Sequence, residues 1–192
     1  MSTEYLQSTG YGESLVRSML GLIGDDPTRE GLMDTPNRVV RAWAEWFSGY
    51  GQDPAVLFKT FEDGATDEVV LLTNIPVHSH CEHHITPIVG HAHVAYLPGT
   101  RIVGISKLAR LVDVFARRLQ VQERLTAQVA DTIEEHLEPR GVAVIITAHH
   151  FCMGTRGVKM PQVATTTSAM RGVFREEVAA RAELFSLIQL SK

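Results

Sequence analysis

His80-Cys81-Glu82-His83-His84, between Pro76 and Pro87, gathers the side chains best suited to metal chemistry. The chain has two cysteines and nine histidines, and this pentapeptide holds one cysteine and three of the histidines. Cys81 and His84 stand in Cys-x-x-His spacing, which lets two soft donors hold one ion. The second cysteine comes 71 residues later, in His149-His150-Phe151-Cys152. Cys81, His84 and Cys152 form a Cys₂His set, used by catalytic zinc sites that leave the fourth position to water. Water bound in such a site has its pKa lowered from about 15.7 to about 7.

Glu82, His83 and His150 are left as acids, bases or supports for the ligands. A strand running out at Cys152 puts His150 on the same face as Cys152 and His149 on the other. That selects His150 as the active-site histidine. Spacing alone does not separate the ring positions of His83 and His84. A fourth bond from His83 or His150 would make the zinc purely structural. Two unrelated buried thiols are the remaining alternative, and they leave the clustered histidines unexplained.

Ser106-Lys107-Leu108-Ala109-Arg110 places a hydroxyl, an ammonium and a guanidinium at an expected helix start, a setting that suits phosphate oxygens. Simple capping with solvated charges accounts for this stretch equally well. Arg156 and Lys159 add positive charge just after Cys152. In Gln122-Glu123-Arg124 a glutamate opens a helix, where the dipole favours it anyway. A carboxylate there could also make two parallel hydrogen bonds to the N1–H and 2-amino edge of a guanine-type base, with the Gln122 amide on the adjoining edge.

The elements that must position these residues follow from periodicity. Leu15, Met19 and Leu22 recur at helical spacing before a stop at Gly24. Thr35-Pro36 reads as an N-cap and a first helical residue, ahead of a stripe of Val39, Val40, Trp43 and Phe47. Strand character begins at Val69. His91 to Pro98 and Arg101 to Ile105 suggest a hairpin turning at Gly99. Ser106 is the expected N-cap of a helix with Leu108, Leu111, Val112, Phe115 and Leu119 on one face. A second helix carries Leu125, Val129, Ile133 and Leu137 and stops at Pro139. Val142 to Ile146 is a buried-strand run, Val163 to Ser168 a last strand, and a helix follows from Glu176. This order is α+β with a largely antiparallel sheet.

At 192 residues the chain can bury a substantial core. A formal net charge of −4 argues against a general nucleic-acid or membrane-surface binder. No apolar run approaches the ~20 residues that span a bilayer, and the first residues lack a secretory signal. Two cysteines make a disulfide framework an unsuitable reading, and a reducing, cytoplasmic setting leaves the thiols open to metal.

These residues resemble GTP cyclohydrolase I. The resemblance is carried by Cys81-Glu82-His83-His84, Gly90 to Tyr96, Gly104-Ile105-Ser106-Lys107, Arg118, Gln120 to Thr126, His150-Phe151-Cys152-Met153 and Arg156-Gly157-Val158. It runs in order from about Glu13 to the C-terminus. It implies a tunnelling fold: an antiparallel sheet with helices on one side, and a helical pair before it. The division implied is an N-terminal helical extension, 1–50, and a catalytic domain, 51–192. It also implies a toroidal homodecamer with active sites between subunits.

By the same resemblance Cys81, His84 and Cys152 hold Zn²⁺, and His83 and His150 are the acid–base histidines. Gln122 and Glu123 grip the pyrimidine edge of guanine, while Ser106, Lys107, Arg110 and Arg156 face the ribose and triphosphate of GTP. Ser106 is further implied to assist the later rearrangement. The expected chemistry is protonation of purine N7 by His150 or His83 while hydroxide attacks C8. Ring opening, loss of C8 as formate, Amadori rearrangement and closure to 7,8-dihydroneopterin triphosphate follow. Two rival functions remain. A nitrile reductase acting on a deazaguanine would use a cysteine nucleophile and NADPH, against which the Cys-x-x-His and distant cysteine argue. A structural-zinc interaction module would need four protein ligands.

Overall fold

A computed structural model of the chain describes residues 10–64 and 66–191. The chain divides into two compact units, Met1–Gln52 and Asp53–Lys192. In the first, α1 (Tyr11–Ile23) packs on α2 (Thr35–Trp46). Gly24 ends α1 in the left-handed conformation that a residue without Cβ adopts at little cost. Thr35 is the first residue of α2 rather than its cap, with Asp34 ahead of it.

The buried side of each helix differs from the expected stripe. Gly12 and Val16 are buried on α1, whereas Leu15, Met19 and Leu22 are exposed. On α2, Val40 is buried as expected, but in an i, i+4, i+8 row with Pro36 and Ala44, leaving Val39, Trp43 and, just past the helix, Phe47 half-buried. The small residues of each helix, rather than the large ones, lie innermost.

In the second unit, long apolar strands build a five-stranded sheet in the order β5-β2-β3-β6-β7. These are β2 (Val70–Cys81), β3 (Pro87–Leu97), β5 (Leu119–Gln120), β6 (Gly141–His150) and β7 (Ala164–Gly172). All neighbours are antiparallel except β5, which runs parallel to β2 at His80 and Cys81. The expected hairpin at Gly99 does not form. β3 already has β2 on one edge and β6 on the other, so no edge remains for Ile102–Val103. That segment, β4, instead pairs with β1 (Thr60–Phe61), and the true hairpin is β2–β3.

Side chains alternate between the two faces of this sheet. One face, with Val77, Ala92, Val94, Val144 and Ile146, packs against α3 (Ile105–Ala116) and α4 (Gln122–Leu137). The expected apolar faces of these helices are the observed ones: Leu108, Leu111, Val112, Leu125, Val129, Ile133 and Leu137 are all buried. Leu119 falls beyond α3, on β5. Gly104, rather than Ser106, caps α3. The opposite face is covered at Ala95, Leu97, Ala143 and Ile145 by Phe174 of α6 (Val173–Glu176) and by Leu184 and Ile188 of α7 (Val178–Leu190). The central helix pair thus lies on one side as expected, and the C-terminal helix adds cover on the other.

Gly90 lets β3 and β6 approach: a Cβ there would collide with the Thr147 carbonyl and the Ala148 Cα. No helix among the described residues is long and apolar enough to cross a membrane.

Candidate metal centre and active site

β2 ends at Cys81 and the chain turns back at once. The Cys81 carbonyl accepts from the Ile85 amide at 2.8 Å and the His84 amide at 3.3 Å, while the Cys81 amide donates to Thr86 O at 2.9 Å. This loop brings His84 Nδ1 to 3.8 Å from Cys81 Sγ. It closes through Ile85 at φ 56°, a left-handed conformation that costs a β-branched residue about 1–2 kcal/mol. The turn is tied sideways as well. The Glu82 amide donates to Gln120 O at 3.1 Å, and the Arg124 guanidinium pairs with the Glu82 carboxylate. That arginine holds the Glu82 carboxyl below its ordinary pKa. Glu82 therefore couples the turn to the start of α4, as a support for the ligands would.

Cys152 does not end a strand. β6 stops at His150, and Cys152 lies in the single turn α5 (Phe151–Gly154). Alternation therefore does not extend to Cys152; within β6, His150 shares the α3/α4 face with Ile146 and Ala148 while His149 turns to the other. The donor atoms of Cys81, His84 and Cys152 all lie within 4.8 Å of one another, and these three are the group among the described residues that could hold a metal. Two sulfurs and an imidazole suit zinc. Burial pushes the Cys152 thiol pKa up, and Cys81 beside it pushes the same way. A cation between them would favour both thiolates.

Arg156 Nη1 lies 2.8 Å from His84 Nε2. Arginine only donates, so Nε2 accepts in this arrangement. A neutral ring holding a metal through Nδ1 carries its hydrogen on Nε2, where Arg156 can no longer donate.

The two acid–base candidates stand in different surroundings. The His83 side chain is 66% exposed, with Nε2 3.8 Å from Glu82 Oε1 and Nδ1 4.0 Å from Cys81 Sγ. His150 is half-buried, and its Nε2 lies 2.7 Å from Gln122 Oε1. Burial lowers the His150 pKa, and the nearby Glu123 charge opposes that shift. Gln122 itself is buried, its amide nitrogen donating toward Ile146 O and Thr165 O at 3.0 Å and Thr167 Oγ1 at 3.1 Å. Glu123, the next residue, is exposed. A cavity of about 370 Å³ opens beside His150 on the His149 side, lined also by Val89, Phe151 and Pro161.

One expected group stands apart. Ser106 and Lys107 lie in the first turn of α3 and Arg110 at its middle, whereas it is the chain beyond the end of α3 that reaches Cys81, through β5. A helix of that length spans roughly 18 Å. Cys81, His83, His84, Cys152, Arg156, His150, Gln122 and Glu123 are therefore assembled around one end of the sheet, and the α3 trio is not among them.

The family model described as GTP cyclohydrolase I matches residues 12–189. The chain belongs to the GTP cyclohydrolase I family. A GTP cyclohydrolase 1 of Maricaulis maris is 58% identical over 86% of this chain and 82% of its own. The relative from Nitrosospira multiformis is 53% identical over 89% and 91%, and that from Corynebacterium glutamicum 52% over 91% and 90%. Membership makes this chain an enzyme with GTP cyclohydrolase activity, a hydrolase of the pterin and folate route. The Cys81–His84–Cys152 cluster is compatible with the metal dependence expected from the resemblance.

Proposed function

We propose that this enzyme hydrolyses the imidazole ring of GTP at C8 with the help of zinc, releases formate, and yields 7,8-dihydroneopterin triphosphate, the opening step of pterin and tetrahydrofolate synthesis. The observation that carries this reading is the convergence of Cys81, His84 and Cys152 within 4.8 Å. Three donors rather than four favour a site with an open position, as hydrolysis needs, over a structural module. Bound there, zinc supplies water acidified enough to act as a nucleophile near neutral pH.

The chain's own residues do the rest. His150 gives a proton to N7, which makes C8 electrophilic, and His83 relays protons at the exposed side. Glu123 accepts from the N1–H and 2-amino edge of guanine. Arg156 takes the triphosphate, and Ser106, Lys107 and Arg110 bind the ribose and triphosphate. The separation of the α3 trio from the metal cluster supports an active site shared between subunits of a homodecamer, one chain lending α3 to another's cluster. The catalytic work falls to residues 51–192, with 1–50 as a helical extension, in a reducing cytoplasm where both thiols stay unpaired. Incubating the pure protein with GTP and measuring formate, with and without a chelator, tests the proposal. Chelator-sensitive formate release is expected, and its absence overturns the reading.

A further inference from the structure

Gln122 was expected at the guanine edge, yet it opens α4 with a side chain only 1% exposed, wedged where α4 packs on β6 and β7. Its amide orientation is fixed by what surrounds it. Ile146 O and Thr165 O are carbonyls and can only accept, so the group facing them is the NH₂. A flipped amide would set its oxygen against both carbonyls in a buried place, where neither can donate to it.

The hydroxyls agree. Thr126 Oγ1 donates to Gln122 O at 2.7 Å. Its 2.6 Å contact with Thr167 Oγ1 is therefore made with the Thr167 proton. The remaining lone pairs of Thr167 are left to accept from the Gln122 amide at 3.1 Å. Every hydrogen in this chain has one direction, and the amide oxygen that emerges from it meets His150 Nε2 at 2.7 Å. An amide oxygen only accepts, so Nε2 carries a hydrogen. The hydrogen bond at one ring nitrogen decides the state of the other, which leaves Nδ1 as the nitrogen that exchanges protons.

We propose that Gln122 is a positioning residue for proton transfer: it holds the His150 ring with hydrogen on Nε2 and presents Nδ1 to the substrate, rather than reading guanine. In the transfer the Nδ1–H bond breaks and an N7–H bond forms. The neutral ring that remains still donates from Nε2 to Gln122, so nothing else rearranges. The inference rests on the assignment of His150 as proton donor.

The test compares Gln122→Met, which keeps the bulk and removes the acceptor, with Gln122→Glu. Burial favours the protonated form of the carboxyl that Gln122→Glu introduces, able to donate to a carbonyl and still accept from His150. Steady-state kinetics on GTP and zinc content are measured for both, beside wild type and His150→Ala. For Gln122→Met, kcat falls ~10²-fold, the lower end of what acid–base catalysis contributes, while KM and zinc content stay near wild type. Gln122→Glu regains part of kcat. A raised KM with kcat retained makes Gln122 a substrate contact and overturns the proposal. So does full kcat in Gln122→Met while His150→Ala is inactive. A wild type that releases no formate, or a fully active His150→Ala, would instead sink the underlying functional reading. If Gln122→Met does not fold, solid-state ¹⁵N spectra of histidine-labelled wild type decide. The signal lost in His150→Ala should report hydrogen on Nε2, and hydrogen on Nδ1 alone overturns the assignment.

Discussion

At the β2–β3 turn, Cys81, Glu82, His83 and His84 occupy a tight surface loop that closes through a left-handed isoleucine. At the end of β6, His150 is half-buried and hydrogen-bonded to a glutamine locked among two carbonyls and a threonine. The first half concentrates donors, and an ion can draw exposed His84 into place as it binds. The second half gives the ion only Cys152, and the His150 ring is oriented by its hydrogen bond to Gln122. Preorganised groups cost no rearrangement at the moment of reaction, and this difference suggests where metal binding ends and proton transfer begins.

The largest effect expected is at the sulfurs. Cys81→Ser or Cys152→Ser should abolish zinc binding and formate release together, read by metal analysis and a formate assay. Activity surviving the loss of zinc would dissolve the distinction between the halves. Next comes the histidine pair. His150→Ala should keep zinc and lose ~10²–10⁴-fold in kcat, the range for general acid–base groups. His83→Ala, whose exposed ring can be replaced by solvent, should lose less. The comparison fails if the order is reversed.

A smaller effect is expected at Glu82. Glu82→Gln breaks the ion pair with Arg124 that ties the turn to α4. Partners that orient metal ligands typically matter 10–100-fold in affinity, and this exposed pair belongs near the ~10-fold end. Competition against a chromophoric chelator measures it. An unchanged affinity would mean that the turn's backbone hydrogen bonds suffice.

Much of this was legible in the sequence, for local reasons. The Leu108–Phe115 and Leu125–Leu137 faces were readable because helical periodicity is a short-range pattern, and both are buried as expected. The two sulfur donors were readable because cysteines are scarce here, while His84 and His83 were not separable by spacing. What failed was non-local. Ile102–Val103 has good strand residues, but whether an edge is open depends on β6, some forty residues further on. Leu15, Met19 and Leu22 have the right spacing for a buried stripe, yet the small Gly12 and Val16 are the buried positions. The hydrogen bonds of Gln122 were not legible either, because nothing near it in sequence announces Ile146, Thr165 or Thr167 as partners.

The smallest effect probes the backbone of the metal half itself. Ile85 is left-handed and 52% exposed, so its side chain contributes limited burial within the chain while its β-branch crowds the backbone. Asparagine tolerates this conformation far better. Ile85→Asn should relieve about 1 kcal/mol of strain, raising Tm by roughly 2–4 °C for a chain of this size. At the other half, no residue from Ala148 to Arg156 has a positive φ among those described, so no comparable gain is open there. Calorimetry of the metal-free protein reads the change without interference from zinc affinity. A lower Tm would mean that the Ile85 side chain contributes more by its contacts than its left-handed backbone costs.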